Sequence, residues 1–358
     1  MAPAMMLLAR LLLLEAGAER AKPVIDALRQ KSGDTPSTRA LSALSWVVSP
    51  NRPEELPAEA QFQAGDIGRL SVPLKAIPAM VEAAKALQKQ ELAAASQAID
   101  SAIGLAMTPS LAAALGFLAI EAGDEVVARK AALRALQFAA VYPRARTLAA
   151  RVALLGGRID EAQKAIEELD PSSAEVAIVR AVVAYESLEP TDLKSALEAL
   201  GNSAVGPAFE ALEAAPGVIN GTAYPPPAKL EELSAPEIPW GELVAIDAAL
   251  DTGNLALAQT LLSKRAQESL RPVHLRRLAK LRRFQGKLDE ALAASEASAS
   301  GGVSLPLLLE RLHELLDKGD VAGAKQLVGK YPALLGPLSG WASVLTDVAS
   351  NQAASAAV

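Results

Sequence analysis

A turn residue, usually Gly followed by a polar residue, recurs along this chain at a nearly constant stride, and Ala follows it five places later. The clearest copies are Gly157-Arg158-Ile159-Asp160-Glu161-Ala162, Gly253-Asn254-Leu255-Ala256-Leu257-Ala258, Gly286-Lys287-Leu288-Asp289-Glu290-Ala291 and Gly319-Asp320-Val321-Ala322-Gly323-Ala324. Gly123-Asp124 with Ala128 is a fifth, and weaker copies start at Gln90, with Ala95, and at Thr191, with Ala196. The turn positions 90, 123, 157 and 191 are 33, 34 and 34 residues apart, and 253, 286 and 319 are 33 and 33 apart. Self-similarity at this period restricts the chain to an array of small structural units.

The surroundings of each copy say what the unit is. Before the turn lies an apolar stretch with helical offsets, as in Leu275, Leu278, Ala279 and Leu281, and a second helix follows. Gly ends the first helix because it enters the left-handed region at little cost, and Asp, Asn or Lys beside it is a polar turn residue. The Ala five residues on marks where the second helix must approach the first closely. One such hairpin has an apolar face that it cannot bury alone, so several must stack in series.

With these features the chain resembles the tetratricopeptide repeat (TPR) proteins, as a divergent, bacterial-type member. The resemblance covers about Met80 to Leu200 and about Trp240 to Trp341, with an outlying hairpin around Gly17. The family's small residue seven places before the turn is matched by Gly116, Ala150 and Ala279, whereas Ile246 and Leu312 depart from it. Its aromatics are mostly replaced by Leu, Ile, Val and Ala, and its late Pro is loosely kept at Pro143, Pro171 and Pro332. The resemblance implies an all-α fold, an α-solenoid of antiparallel helical hairpins whose first helices line a concave groove.

Proline interrupts the array twice. The expected organisation is hairpin structure over 1–50, an irregular Pro-rich connector over 51–78, a first array over 79–200, a Pro/Gly-rich connector over 201–239, a second array over 240–347 and a frayed tail over 348–358. Residues 201 to 239 hold seven prolines, including Pro225-Pro226-Pro227, with Gly201, Gly206, Gly217 and Gly221. Regular helix is not expected to run through them, apart from one short helix over Ala204 to Ala214. Both breaks read as hinges. The alternative for the second is a polyproline segment offered to a partner.

Composition agrees with closely packed helices. Hydrophobic residues make up 51% of the 358 residues but aromatics only 3%, so Ala, Leu and Val fill the interior. A net charge of −6 gives no general attraction for nucleic acid, and the absence of cysteine removes disulfides, thiolate metal sites and thiol nucleophiles. The apolar stretch Met1 to Leu14 carries its only basic residue, Arg10, inside it rather than before it, unlike a secretory signal. Ser101 to Ile120 has no charged residue, but Thr108-Pro109-Ser110 is a turn and helix-start signal. It therefore reads as two helices rather than one membrane span.

Catalytic chemistry finds little to work with. The two histidines, His274 and His313, read as helix-surface residues without further metal ligands. Gly201 to Gly206 has phosphate-loop spacing but continues as Pro207-Ala208, where that loop needs Lys and a hydroxyl residue. Glu161, Glu167, Glu168 and Asp170 form an acidic helix surface.

One stretch reverses the local charge. From Lys264 to Lys287 there are nine basic residues (Lys264, Arg265, Arg271, Arg276, Arg277, Lys280, Arg282, Arg283 and Lys287) against the single acid Glu268. Arg276, Arg277, Lys280 and Arg283 share a face at helical spacing and, if they line the groove, can hold carboxylates of an acidic peptide. Alternatively they pair between repeats, since the neighbouring units place Leu243, Asp247, Asp251, Leu309, Glu310 and Asp317 on the corresponding helices. The expectation is a non-enzymatic scaffold or adaptor for a protein or peptide, without cofactor or metal and without nucleic acid or a transmembrane segment. Its alternative is a structural subunit that packs with copies of itself or within an envelope-associated assembly. A cytoplasmic location is expected, with a periplasmic or envelope-associated one as the alternative.

Overall fold

A computed structural model describes residues 2–49, 52–201, 207–233, 240–263 and 271–356. All regular structure among them is helical. The chain divides into two compact units, Met1–Val152 and Ala153–Val358. Where the sequence leads to paired helices, paired helices are found.

In the first unit, helices Ala2–Glu15 and Ala18–Ser32 pack as a hairpin about Gly17, followed by Pro36–Val48. Hairpins Ile77–Gln88/Leu92–Ile103 and Pro109–Glu121/Glu125–Phe138 follow. The charge-free stretch 101–120 is broken as expected: Thr108 caps the helix Pro109–Glu121 by accepting the Leu111 amide at 3.3 Å. No helix among the described residues is long and apolar enough to cross a membrane. Between the first hairpins lie only short helical pieces, Ala58–Ala60, Asp66–Arg69 and Val72–Leu74. This segment is pinned in place. Arg52 forks onto Glu121 at 3.1 and 2.9 Å, Gln88 and Trp46 donate to the Pro53 carbonyl, and Arg39 pairs with Asp66 at 3.0 Å.

The second unit contains the helix Ile159–Ile166 and the hairpins Ala174–Glu186/Pro190–Leu200, Gly241–Asp251/Leu255–Ser263, Pro272–Phe284/Leu288–Ser298 and Leu305–Asp317/Val321–Lys330. It ends on the helix Ser339–Ala356.

The turns share one hydrogen-bonding pattern. At Gly286, φ is 74°, the Gly286 amide donates to the Arg283 carbonyl, and the Lys287 amide donates to the Arg282 carbonyl, both at 2.9 Å. This is the double closure of a left-handed helix end. It repeats at Gln90, Gly123, Gly157, Gly253 and Gly319, all with positive φ. The Ala five residues on is fully buried at 95, 128, 162, 258, 291 and 324, as close helix contact demands.

Three findings depart from the sequence reading. The turn expected at Thr191 is at Leu188, which has φ 58° and the same two hydrogen bonds, and Thr191 lies inside the helix Pro190–Leu200. The fifth position after the turn is then Leu193, also fully buried, and the stride from Gly157 shortens to 31 residues. Second, the Pro/Gly-rich connector contains another copy. Helices Pro207–Ile219 and Pro227–Leu233 flank Gly221, whose φ is 63° and whose bonds follow the same pattern. Gly221 falls 33 residues after Leu188 and 32 before Gly253. Helix forms here because Pro207 and Pro227 each open a helix, where their missing N–H is no loss, although Pro216 lies inside the first of the two; residues 202–206, which include the start of the helix expected over 204–214, and 234–239 lie outside the described residues. Third, the expected frayed tail continues the helix Ser339–Ala356, consistent with its Ala-rich composition.

The second unit also contains a contact between distant hairpins. A Cβ on Gly301 would sit 1.9 Å from the Gly156 carbonyl oxygen, and a Cβ on Gly157 would sit 2.9 Å from the Pro272 Cβ. In a purely nearest-neighbour array, hairpins this far apart in sequence would not meet.

Candidate functional site

The basic helix Pro272–Phe284 opens with Pro272 in its first turn. Val273, Arg277 and Leu281, spaced by four, are buried on its core side. Arg277 therefore belongs to the apolar stripe rather than to the outer face with Arg276, Lys280 and Arg283. No part of its side chain is exposed.

Two other hairpins and its own helix supply its partners. Arg277 Nη2 reaches Glu186 Oε1 at 2.7 Å, at the end of the helix Ala174–Glu186, and Asp247 Oδ2 at 2.5 Å, on the helix Gly241–Asp251. Its Nε and Nη1 donate to the Leu243 and Val273 carbonyls at 3.3 and 2.9 Å. Each nitrogen of the fork thus donates at least one hydrogen bond. Arg276 Nη2 lies 3.2 Å from Glu186 Oε2 and 4.0 Å from Asp247 Oδ2. Tyr185 donates its hydroxyl to Asp247 Oδ2 at 2.8 Å.

The ladder continues outward. Lys280 pairs with Asp251, and Arg283 bonds Glu310 at 2.6 Å and Asp317 at 3.2 Å on the helix Leu305–Asp317. Arg282 and Lys287 both reach Glu290, at 3.1 and 3.4 Å. Phe284, exposed at the helix end, lies under Arg283 at 4.7 Å and Lys280 at 5.9 Å. Lys264, Arg265 and Glu268 lie outside the described residues.

The electrostatics hold Asp247 and Arg277 in their charged states and Tyr185 as a donor. Burial alone would raise the Asp247 carboxyl, but Arg277, Arg276 and Lys280 outweigh it and leave Asp247 below its ordinary value. Burial opposes the charge on Arg277, yet Asp247 and Glu186 more than compensate and drive its value upward. Tyr185 is raised well above 10.0 by burial and the Asp247 charge, so it stays neutral and donates. Buried opposite charges paired in this way tie the helices that carry them to one another.

Inter-repeat pairing thus engages all four of the basic residues singled out in the sequence. Arg277 presents no surface to a partner; Arg276, Lys280 and Arg283 keep part of their side chains at the surface. Sequence reasoning placed Asp247, Asp251, Glu310 and Asp317 opposite this helix, but missed Glu186 and Tyr185, whose approach depends on how distant hairpins pack. The spacing of Arg277 from Val273 and Leu281 was the available sign of its burial. His274 is corrected too. It is buried rather than on the surface, with Nε2 3.1 Å from Glu242 Oε1. His313 meets Trp341 edge-on at 6.2 Å. Among the described residues, no three His, Asp or Glu side chains group to hold a metal ion.

Comparison with known proteins adds no relative: no family model matches the chain, and no curated protein is similar to it.

Proposed function

We propose that this chain is a protein-interaction scaffold, a TPR-like solenoid without catalytic activity that holds a partner peptide or helix along the first helices of its hairpins. The observation that carries this reading is the ladder along one helix in which Arg276 pairs with Glu186 and Asp247, Lys280 with Asp251 and Arg283 with Glu310, so that ion pairs connect four hairpins. Such a strip orders neighbouring first helices side by side, and an array of this kind presents an extended surface for a peptide. The cations, buried for the most part but still reaching the surface, favour an acidic segment, which would compete with Asp251 and Asp317 for Lys280 and Arg283.

The test is affinity capture with the wild-type chain and with Lys280→Glu and Arg283→Glu together, leaving the buried Arg277 in place. Loss of acidic partners from the variant supports the reading, and an identical captured set refutes the use of this surface.

A second reading, a structural subunit within a larger assembly, is favoured by exposed apolar side chains. Leu7, Leu8 and Leu11 are exposed on the helix Ala2–Glu15, and Trp341, Val344 and Val348 on the helix Ser339–Ala356. Apolar groups clustered in this way are characteristic of association surfaces. Light scattering of the purified chain decides it: this reading requires growth in mass with concentration.

A further inference from the structure

Glu314, on the helix Leu305–Asp317, is fully buried although it carries a carboxyl group. Its Oε1 meets no hydrogen-bond partner. Its Oε2 lies 2.7 Å from Ser295 Oγ on the helix Leu288–Ser298, and the same Ser295 Oγ lies 3.0 Å from the Leu292 carbonyl oxygen. A hydroxyl has one hydrogen and a carbonyl can only accept. Both contacts are satisfied together only if Ser295 donates to Leu292 and Glu314 donates its own proton to Ser295. An ionised Glu314 would instead compete with Leu292 for that hydrogen while leaving a buried anionic oxygen bare, which is costly.

The surrounding charges, Arg311 and Arg283 among them, relieve it only in part. Arg283, from the helix Pro272–Phe284, is held by Glu310 and Asp317. Glu310, one turn away on the same helix, adds a like charge, and Arg311 on that helix opposes it. On the helix Leu288–Ser298, Asp289 pairs with Lys318 and Glu290 with Arg282 and Lys287. On the helix Val321–Lys330, Lys325 pairs with Asp347 at 3.0 Å, and Lys330 lies over the Tyr331 ring.

We propose that Glu314 is a proton-operated latch, closed when its carboxyl donates to Ser295 and loosened when it ionises, so that acidity sets how firmly the helices from Leu305 onward stay docked. The core behind it is small, chiefly Leu308, Leu312, Ala324, Leu327, Leu335 and Ala342, so one unfavourable buried charge weighs heavily there.

Burial, with Glu310 adding to it and Ser295 opposing, moves Glu314 from 4.5 up to about 7. The folded latch therefore binds a proton that the opened one, with an ordinary carboxyl, does not. Between those two values opening becomes easier as pH rises, and above about 7 the dependence flattens.

Hydrogen exchange of backbone amides over 305–330, expressed as protection factors at pH 5, 6, 7 and 8, tests this on the full chain. In the wild type, protection should fall by up to roughly tenfold per pH unit between 5 and 7 and then level off; Glu314→Gln, which mimics the protonated acid, should be flat. Wild-type protection that is constant over that interval, or a Gln variant with the same slope, would overturn the proposal. If the variant does not fold, 13C titration of the wild-type Glu314 carboxyl replaces it: a midpoint near neutrality supports the latch, and a midpoint near 4.5 sinks it.

Discussion

Arg277 Nη2 sits between Glu186 Oε1 at 2.7 Å and Asp247 Oδ2 at 2.5 Å, joining hairpins that are 91 and 30 residues away in sequence. Removing the cation leaves two buried carboxylates facing each other. Arg277→Met should therefore destabilise the second unit by about 3–5 kcal/mol. Combining it with Glu186→Gln and Asp247→Asn should restore much of the loss, because the uncompensated charge disappears along with the pair. Urea denaturation followed by circular dichroism checks both outcomes.

The same cluster sets an acid limb. Asp247 is held below its ordinary 3.8 by its three cations against the opposing effect of burial. Its contribution is present in full above the ordinary value and is lost as pH falls through the lower folded value. The wild type should lose stability below about pH 4, whereas Asp247→Asn should start lower at pH 7 and converge with the wild type in acid. Thermal unfolding between pH 2 and 7 measures the difference; parallel curves would remove Asp247 from the account.

At the shifted turn, Leu188 holds φ 58° without being Gly. A left-handed conformation costs a residue with a Cβ roughly 1–2 kcal/mol. Leu188→Gly should relieve part of this and stabilise the protein by about 1 kcal/mol, while Thr191→Gly, inside a helix, should destabilise it by a comparable amount. A register with the turn at 191 predicts the opposite ranking.

Gly301 faces the Gly156 carbonyl too closely for any side chain. Gly301→Ala should destabilise the second unit by about 1–3 kcal/mol through forced separation of these backbones. Gly329, with open space around its Cβ position, is the control: Gly329→Ala, within the helix Val321–Lys330, should be neutral or mildly stabilising.

Much of this architecture is legible from residue types. Gly, a polar neighbour and a later Ala mark the turns at 123, 157, 253, 286 and 319 because the left-handed backbone and the close helix contact both select for small residues. The turns at Leu188 and Gly221 were harder to read. Leu188 takes its conformation against its intrinsic preference, imposed by the packed helices on either side, and Leu193 stands in for the Ala that would have flagged it. Around Gly221 the prolines suggest interruption, although Pro207 and Pro227 occupy the helical positions that tolerate them. Likewise, Asp247, Glu310 and Asp317 could be placed opposite the basic helix by repeat position alone. Glu186 depends on three-dimensional packing that no local spacing encodes.

The most direct test of the repeat account is backbone NMR assignment of the deuterated chain, with chemical shifts read at the eight turn positions. Helical shifts interrupted by a single left-handed residue at 90, 123, 157, 188, 221, 253, 286 and 319 are the predicted result. Continuous helix across Leu188 or Gly221, or a left-handed residue at Thr191, would contradict it.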